Sequence, residues 1–330
     1  MPLDDLLPLD EHGLVTRAEA VGLGLTDGDL RALQRDDRLL LLRRGVYVDA
    51  AVWRAADPFR GQPLLRIRAA EKVLRCDHVL SHDSAALILG LGAPDPRQAL
   101  VHVTRRKVHG DAVRAGVKHH LAPYRDEQVV STEGFRVLDP ARTALDMGRE
   151  HGLVAGVACC DAALRQGARR GDLAEARVDM WCWPESRVMD AALELADPGA
   201  ESWLESEGRV FVTSLGIGRP QTQFGLTDGR RTVWCDLRVG RHVFELDGAR
   251  KYLSDDLAGR SVEQVLWEEK ERQDFVTGFK LGVSRITSSD LRRRPEDTRR
   301  RALREYHDTC ARFGTDIADL AAYRPRAPRR

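Results

Sequence analysis

The run HVFELDGARKY, His242 to Tyr252, constrains this chain more than any other stretch. Glu245 and Asp247 stand two apart in an alternating apolar segment, so a strand there puts both carboxylates on one face. The strand-like WCDLRV just before it carries another acid, Asp236. Carboxylates crowded in this way ordinarily need a cation, and their oxygens suit a hard divalent ion. A carboxylate-held ion of that kind is suited to polarising phosphate.

The flanking sequence supplies a layout for these acids. After the turn-prone DPG at Asp197 to Gly199, AESWLESEGRVFVTSLGI reads as a helix with Trp203, Leu204, Val210 and Phe211 on one side. It presents Glu201 and Glu205 one turn apart. RPQTQFGL, TVWCDLRV and HVFELDG read as three successive strands, with TDGRR and GRH as turns between them. A second helix, SVEQVLWEEKERQDFVTGFKLG, follows, and VSRITSSDL reads as a further strand. Asp236 and Glu245 are the principal candidate ligands, Glu205 completes the set, and Glu201 is held in reserve. Taken singly these acids read as a solvated helix face and turn residues. Taken together they favour a metal site.

The N-terminal stretch has a different pattern. Thr16 is followed three residues later by Glu19, and Thr26 by Asp29, each a helix N-cap with an acidic partner. Two short helices are implied, the second carrying Leu30, Leu33 and Leu39 toward a core. LLLLRRGVYVDA then reads as two strands joined at Arg43, Arg44 and Gly45. Helix, turn, helix and basic-tipped hairpin describe a winged helix over residues 1–55. On DNA, Arg31 and Arg35 would enter the major groove and Arg43 and Arg44 would touch phosphates. Asp27, Asp29, Asp36 and Asp37 dilute that charge, so a protein-contact role stands level with DNA contact.

The chain's 330 residues allow two or three domains of ordinary size, and 52 basic against 51 acidic side chains exclude a gross polyanion-binding bias. From Leu281 onward, 13 arginines face 7 acids, so Arg292 to Arg294 and Arg299 to Arg301 suit either a solvated helix or a nucleic-acid surface. Six cysteines without CxxC or zinc-finger spacing read as reduced thiols, and no apolar run approaches the ~18 residues that would cross a membrane. With an acidic start that lacks a signal pattern, the expectation is a cytoplasmic protein with no membrane partner.

Between these parts lie residues 63–196. Ser81, His82 and Asp83 invite a nucleophilic triad, but successive side chains diverge, and Ser81 reads better as a helix cap with Ala85 and Ala86 packed behind it. His102, His109, His119 and His120 lack carboxylate or cysteine spacing and read as ordinary surface and strand histidines. GLGLTDG near Gly22 fails the dinucleotide template. Trp181 and Trp183 read as packing or junction residues.

Two resemblances follow from these residues. GLVTRAEAVGLGLTDGDLRALQRDDRLLLLRRGVYV resembles the winged helix of AbiEi-type antitoxins, and VLSHDSAALILGLGAPDP, ALVHVTRR, KHH and GFRVLDPARTALDMGREHG resemble the region that follows it in such proteins. The C-terminal order resembles the PD-(D/E)XK restriction-endonuclease-like superfamily, in particular its very-short-patch-repair-like branch. The matching residues are Glu205, Ser206 and Arg209, then Pro220 and Gln223, Asp236, and Glu245, Asp247, Gly248, Lys251 and Tyr252, with EEKERQD and GVSRIT after them.

These resemblances imply a multi-domain α/β protein. Its parts are a winged helix (1–55), an AbiEi-like middle domain (63–196), an endonuclease-like mixed sheet flanked by helices (197–320) and a flexible basic tail (321–330). The implied activity is Mg- or Mn-dependent cleavage of DNA, in repair or in defence against foreign DNA. The rival is a noncatalytic DNA-binding regulator or antitoxin with a degenerate nuclease-like domain. A homodimer or a cognate regulatory protein is a compatible partner. The sequence departs from the superfamily pattern where Asp247 replaces the motif lysine, as is usual in this branch, and Lys251 or Lys270 would then supply the positive charge.

Overall fold

A computed structural model describes residues 7–106, 112–248 and 262–325. The fold is mixed α/β and divides into two compact units, residues 1–163 with 168–192 and residues 164–167 with 193–330. Among the described residues no helix is long and apolar enough to cross a membrane. All six cysteines are free thiols, with Cys159, Cys160 and Cys235 buried and Cys182 exposed.

The first unit opens with β1 (Leu14–Thr16), α1 (Arg17–Gly22), α2 (Asp27–Arg35), β2 (Leu39–Arg43) and β3 (Val46–Asp49). Both expected capping boxes form, Thr16 with Glu19 and Thr26 with Asp29. Each satisfies amide groups that a helix start leaves without partners. The strands pair antiparallel in the order β1-β3-β2, and Leu30, Leu33 and Leu39 are buried with Val15 and Tyr47 beneath them.

The chain continues through α3 (Ala50–Ala55), α4 (Gly61–Glu71), β4 (Val79–Leu80), α5 (His82–Ile88), β5 (Val101–Arg105), β6 (Ala112–Arg114), β7 (Val117–Leu121), β8 (Val129–Thr132) and β9 (Phe135–Leu138). It then forms α6 (Pro140–His151), α7 (Leu153–Arg165), α8 (Arg170–Asp179) and α9 (Ser186–Leu195). Six strands form one mixed sheet, β6-β7-β5-β4-β9-β8, in which β5 runs parallel to β7 and β4 parallel to β9. Ile67, Leu80, Ile88, Val103 and Val137 form its apolar core.

The second unit contains α10 (Trp203–Ser214), β10 (Gln221–Thr227), β11 (Thr232–Val239), β12 (His242–Asp247), α11 (Val262–Gly278), β13 (Gly282–Thr287), α12 (Ser288–Arg293) and α13 (Pro295–Phe313). The strands stand in sequence order, the first three as an antiparallel meander and β13 parallel to β12. A parallel neighbour needs a crossover connection, and the stretch containing α11 supplies it. The unit buries two separate cores, Leu237, Phe244, Leu246 and Ile286 in one and Phe224, Val233, Val243 and Leu281 in the other. α10 lies close on β12 because Gly208 has no side chain: a Cβ there would collide with the Leu246 side chain.

Three expectations change. The last strand stops at Thr287 because Thr287 and Asp290 make a capping box that starts α12, so SSDL is helical. Glu201 is not on the helix, whose N-cap is Ser202. The tail expected to be flexible is anchored as far as Pro325: residues 318–323 form a 3-10 turn, Leu320 is buried, Tyr323 meets the Phe279 ring edge-on at 4.9 Å, and the Arg324 guanidinium lies over Phe224 at 4.6 Å. Apolar anchors within an Arg- and Pro-rich stretch were enough to dock it.

Candidate functional site

The β11–β12 ladder runs from Val239↔His242 to Leu237↔Phe244 and ends there. One step further along that register Asp236 comes beside Glu245. The strands part at this point, and the Leu246 amide donates to Asp236 Oδ2 at 2.8 Å. A carboxylate thus stands in for a ladder carbonyl.

Glu245 is only 6% exposed, an uncommon setting for a carboxylate. Arg272, on α11, donates to its Oε2 at 2.7 Å and to the Trp234 carbonyl at 2.9 Å. Glu269 lies 3.5 Å from Arg272 and 2.5 Å from Arg285, the residue opposite Glu245 on β13. Burial, then the neighbouring Asp236 charge, push the Glu245 pKa up from 4.5 to about 7, against the pull of Arg272. Burial opposes the Arg272 charge, but Glu245 and then Glu269 hold its pKa raised. Burial likewise pushes the Cys235 thiol pKa up, with the Glu245 charge adding to it.

The other expected site residues are placed as follows. Asp247 is the half-buried last residue of β12, opposite Thr287. Glu205 is turned toward its own helix start: its carboxylate accepts from the Glu201 amide and the Ser202 hydroxyl, both at 2.9 Å, and from Gln223 at 3.2 Å. At Glu201 it is therefore the backbone amide that meets this cap. Glu205 and Glu201 do not join Asp236 and Glu245 in one tight group; among the described residues, the only set of three or more candidate ligands that close together is elsewhere, at His82, His102 and His120. Lys270 is exposed, with its ammonium 6.0 Å from the Trp267 ring centroid, and the cation at Glu245 is Arg272 instead. Lys251 and Tyr252 lie outside the described residues.

In the first unit, Arg31 and Arg35 are exposed one turn apart on α2, and Arg44 is exposed at the β2–β3 turn. Arg43 is half-buried, donates to the Ala115 carbonyl at 3.4 Å, and its pKa is lowered by burial. The neighbouring acids are partly neutralised. Asp27 pairs with Arg17 at 2.7 Å, Asp29 serves the Thr26 cap, and Asp37 pairs with Arg54. The C-terminal arginines are largely engaged within the protein, Arg294 with Asp290 at 2.9 Å, Arg299 with the Ser214 carbonyl at 3.0 Å and Arg301 with the Arg285 carbonyl at 3.0 Å. Trp183 packs under the Arg142 and Arg149 guanidinium groups, whereas Trp181 is 74% exposed and packs poorly.

The histidines depart furthest from expectation. His82, His102, His119 and His120 are all buried, and His109 lies outside the described residues. Ser81 takes the N-cap position of α5, but its hydroxyl contacts His82 Nδ1 at 3.0 Å and caps nothing. His82 has a φ of 47°, in the left-handed region. Asp83 turns away to His151, at 2.8 Å, so the three consecutive residues form no relay. Burial, then the His120 and His102 rings, hold the His82 pKa well below its usual value; burial brings His102 to about 4.

No protein-family model matches this sequence, and a search of curated proteins gives no significant match.

Proposed function

We propose that this protein is a metal-dependent DNA endonuclease whose cation is held by Asp236 and Glu245. The observation that carries the reading is a buried Glu245 whose pKa the Asp236 charge helps to raise, with Asp236 held by the Leu246 amide where the β11–β12 ladder ends. Two acids in such a setting repel each other, and their oxygens fit a small hard cation. A magnesium or manganese ion, when bound, would polarise a phosphodiester and lower the pKa of its water. Asp236 and Glu245 would hold that ion, and Asp247 stands at the open end of the same strand. Arg272 is positioned to offset negative charge developing at the phosphate, the role first sought for Lys251 or Lys270.

The order of helix, three-stranded meander, helix and parallel fourth strand supports the PD-(D/E)XK resemblance. Exposed Arg31, Arg35 and Arg44 on a helix–turn–helix with a β-hairpin support DNA contact by the first unit.

A second reading has its own observation. Arg272 already compensates Glu245 at 2.7 Å, as a residue replacing the ion would do in a noncatalytic regulator. The two readings separate when the full chain is incubated with single-stranded, duplex, mismatched and branched DNA in Mg, Mn or EDTA, beside an Asp236→Ala, Glu245→Ala variant. The nuclease reading expects metal-dependent cuts that the variant loses. Binding without cutting on every substrate would establish the regulator.

A further inference from the structure

The sheet of the first unit brings together three buried histidines distant in sequence. Leu80 on β4 pairs with Val103 on β5, and the Ser81 amide donates to the His102 carbonyl at 3.1 Å, which sets His82 beside His102. The parallel β5–β7 pairing, Thr104 opposite His120, adds the third ring. Each residue offers one ligand atom, and the three atoms lie within 4.8 Å of one another.

We propose that His82, His102 and His120 bind one zinc-class divalent transition-metal ion. Three observations support the site. His120 Nε2 and His102 Nδ1 share a ring-to-ring hydrogen bond at 3.0 Å, and an ion taking the place of the shared proton would find them close to the ~3.3 Å between two ligands of one tetrahedral ion with bonds of about 2.0–2.1 Å. Behind His102, Nε2 faces Asp83 Oδ2 at 3.5 Å, and Asp83 is anchored by His151 at 2.8 Å. A carboxylate on the far ring nitrogen favours the tautomer that leaves Nδ1 as a lone pair, the arrangement that supports metal-ligating histidines. Finally, three imidazoles fill buried space that aliphatic side chains would fill without desolvating ring nitrogens.

Imidazole donors select zinc-class ions over magnesium or calcium, so this site differs in chemistry from the carboxylates of the second unit. One movement is required. The His82 and His120 rings are stacked at 3.7 Å and 11°, and a cation must lie near the plane of each ring that binds it. His82 is the ring to turn: it gives up one contact, Nδ1 to the Ser81 hydroxyl at 3.0 Å, while its approach to Asp146, 3.8 Å, is longer than a hydrogen bond.

The test uses the full chain, stripped with EDTA, dialysed against zinc and freed of unbound metal, with metal content measured by mass spectrometry. About one zinc per chain is expected, kept by Glu245→Gln and lost in His102→Gln and His120→Gln. X-ray absorption at the zinc edge of the unmutated protein should show an imidazole shell, a readout that stands even if the histidine variants fail to fold. No bound zinc, zinc unchanged in both histidine variants, or a shell of carboxylate or sulfur donors would each overturn the proposal.

Discussion

Replacing Glu245 by Gln removes a charge from the buried pair while keeping its size and an acceptor for Arg272. In the fold the Glu245 carboxyl has its pKa raised from 4.5 to about 7, by burial first and Asp236 second. The folded state therefore binds this proton more tightly than the unfolded chain does. Below about pH 4.5 the group is protonated in both states and costs nothing. The cost grows as pH rises from 4.5 and is fully present above about 7. At 1.36 kcal/mol per pKa unit, that difference corresponds to about 3 kcal/mol. Glu245→Gln should thus stabilise the metal-free protein at pH 8 by up to about 3 kcal/mol, with the gain gone near pH 4.5. Scanning calorimetry of the full chain in EDTA should show a melting transition raised by about 6–12 °C at pH 8 and a much smaller shift at pH 5. Saturating magnesium at pH 8 should raise the melting temperature of the original protein and leave that of the variant in place. A variant that melts at or below the original at pH 8, or a gap that does not shrink by pH 5, would refute the reasoning.

Other substitutions test the surrounding structure. Gly208→Ala places a Cβ against Leu246, next to Glu245, and should cost about 1–3 kcal/mol in urea denaturation while weakening metal-dependent cleavage. Thr287→Ala removes the α12 cap opposite Asp247 and should cost about 1 kcal/mol by the same measure. Arg31→Ala and Arg35→Ala should each weaken DNA binding and relax its sequence preference, and Arg44→Ala should weaken it and flatten its salt dependence by about one unit of log–log slope, measured by fluorescence anisotropy across a salt series. Unchanged affinity in the first two variants would assign α2 to a protein partner.

The elements of the second unit were legible because their signals are local. Alternation in TVWCDLRV and HVFELD marks strands, and TDGRR and GRH mark turns. The capping boxes at Thr16 and Thr26 were read for the same reason, while the equivalent one at Thr287 was absorbed into a strand. Arg272 was harder. It lies inside the run EEKERQD, and only the docking of α11 against β12 selects it over Lys270 as the partner of Glu245. Glu205 looked like a ligand because a carboxylate at the third helical position serves equally well as a cap, and here it does so. The histidine group had no local signature at all: its members come from α5, β5 and β7, and a parallel strand pairing unites two of them.

Manganese binding, followed by electron paramagnetic resonance of free Mn2+ during titration, tests the central claim most directly. The account predicts about one Mn2+ per chain, displaced by Mg2+ and lost in Asp236→Asn. An original protein that binds no Mn2+, or a variant that binds it equally well, would contradict it.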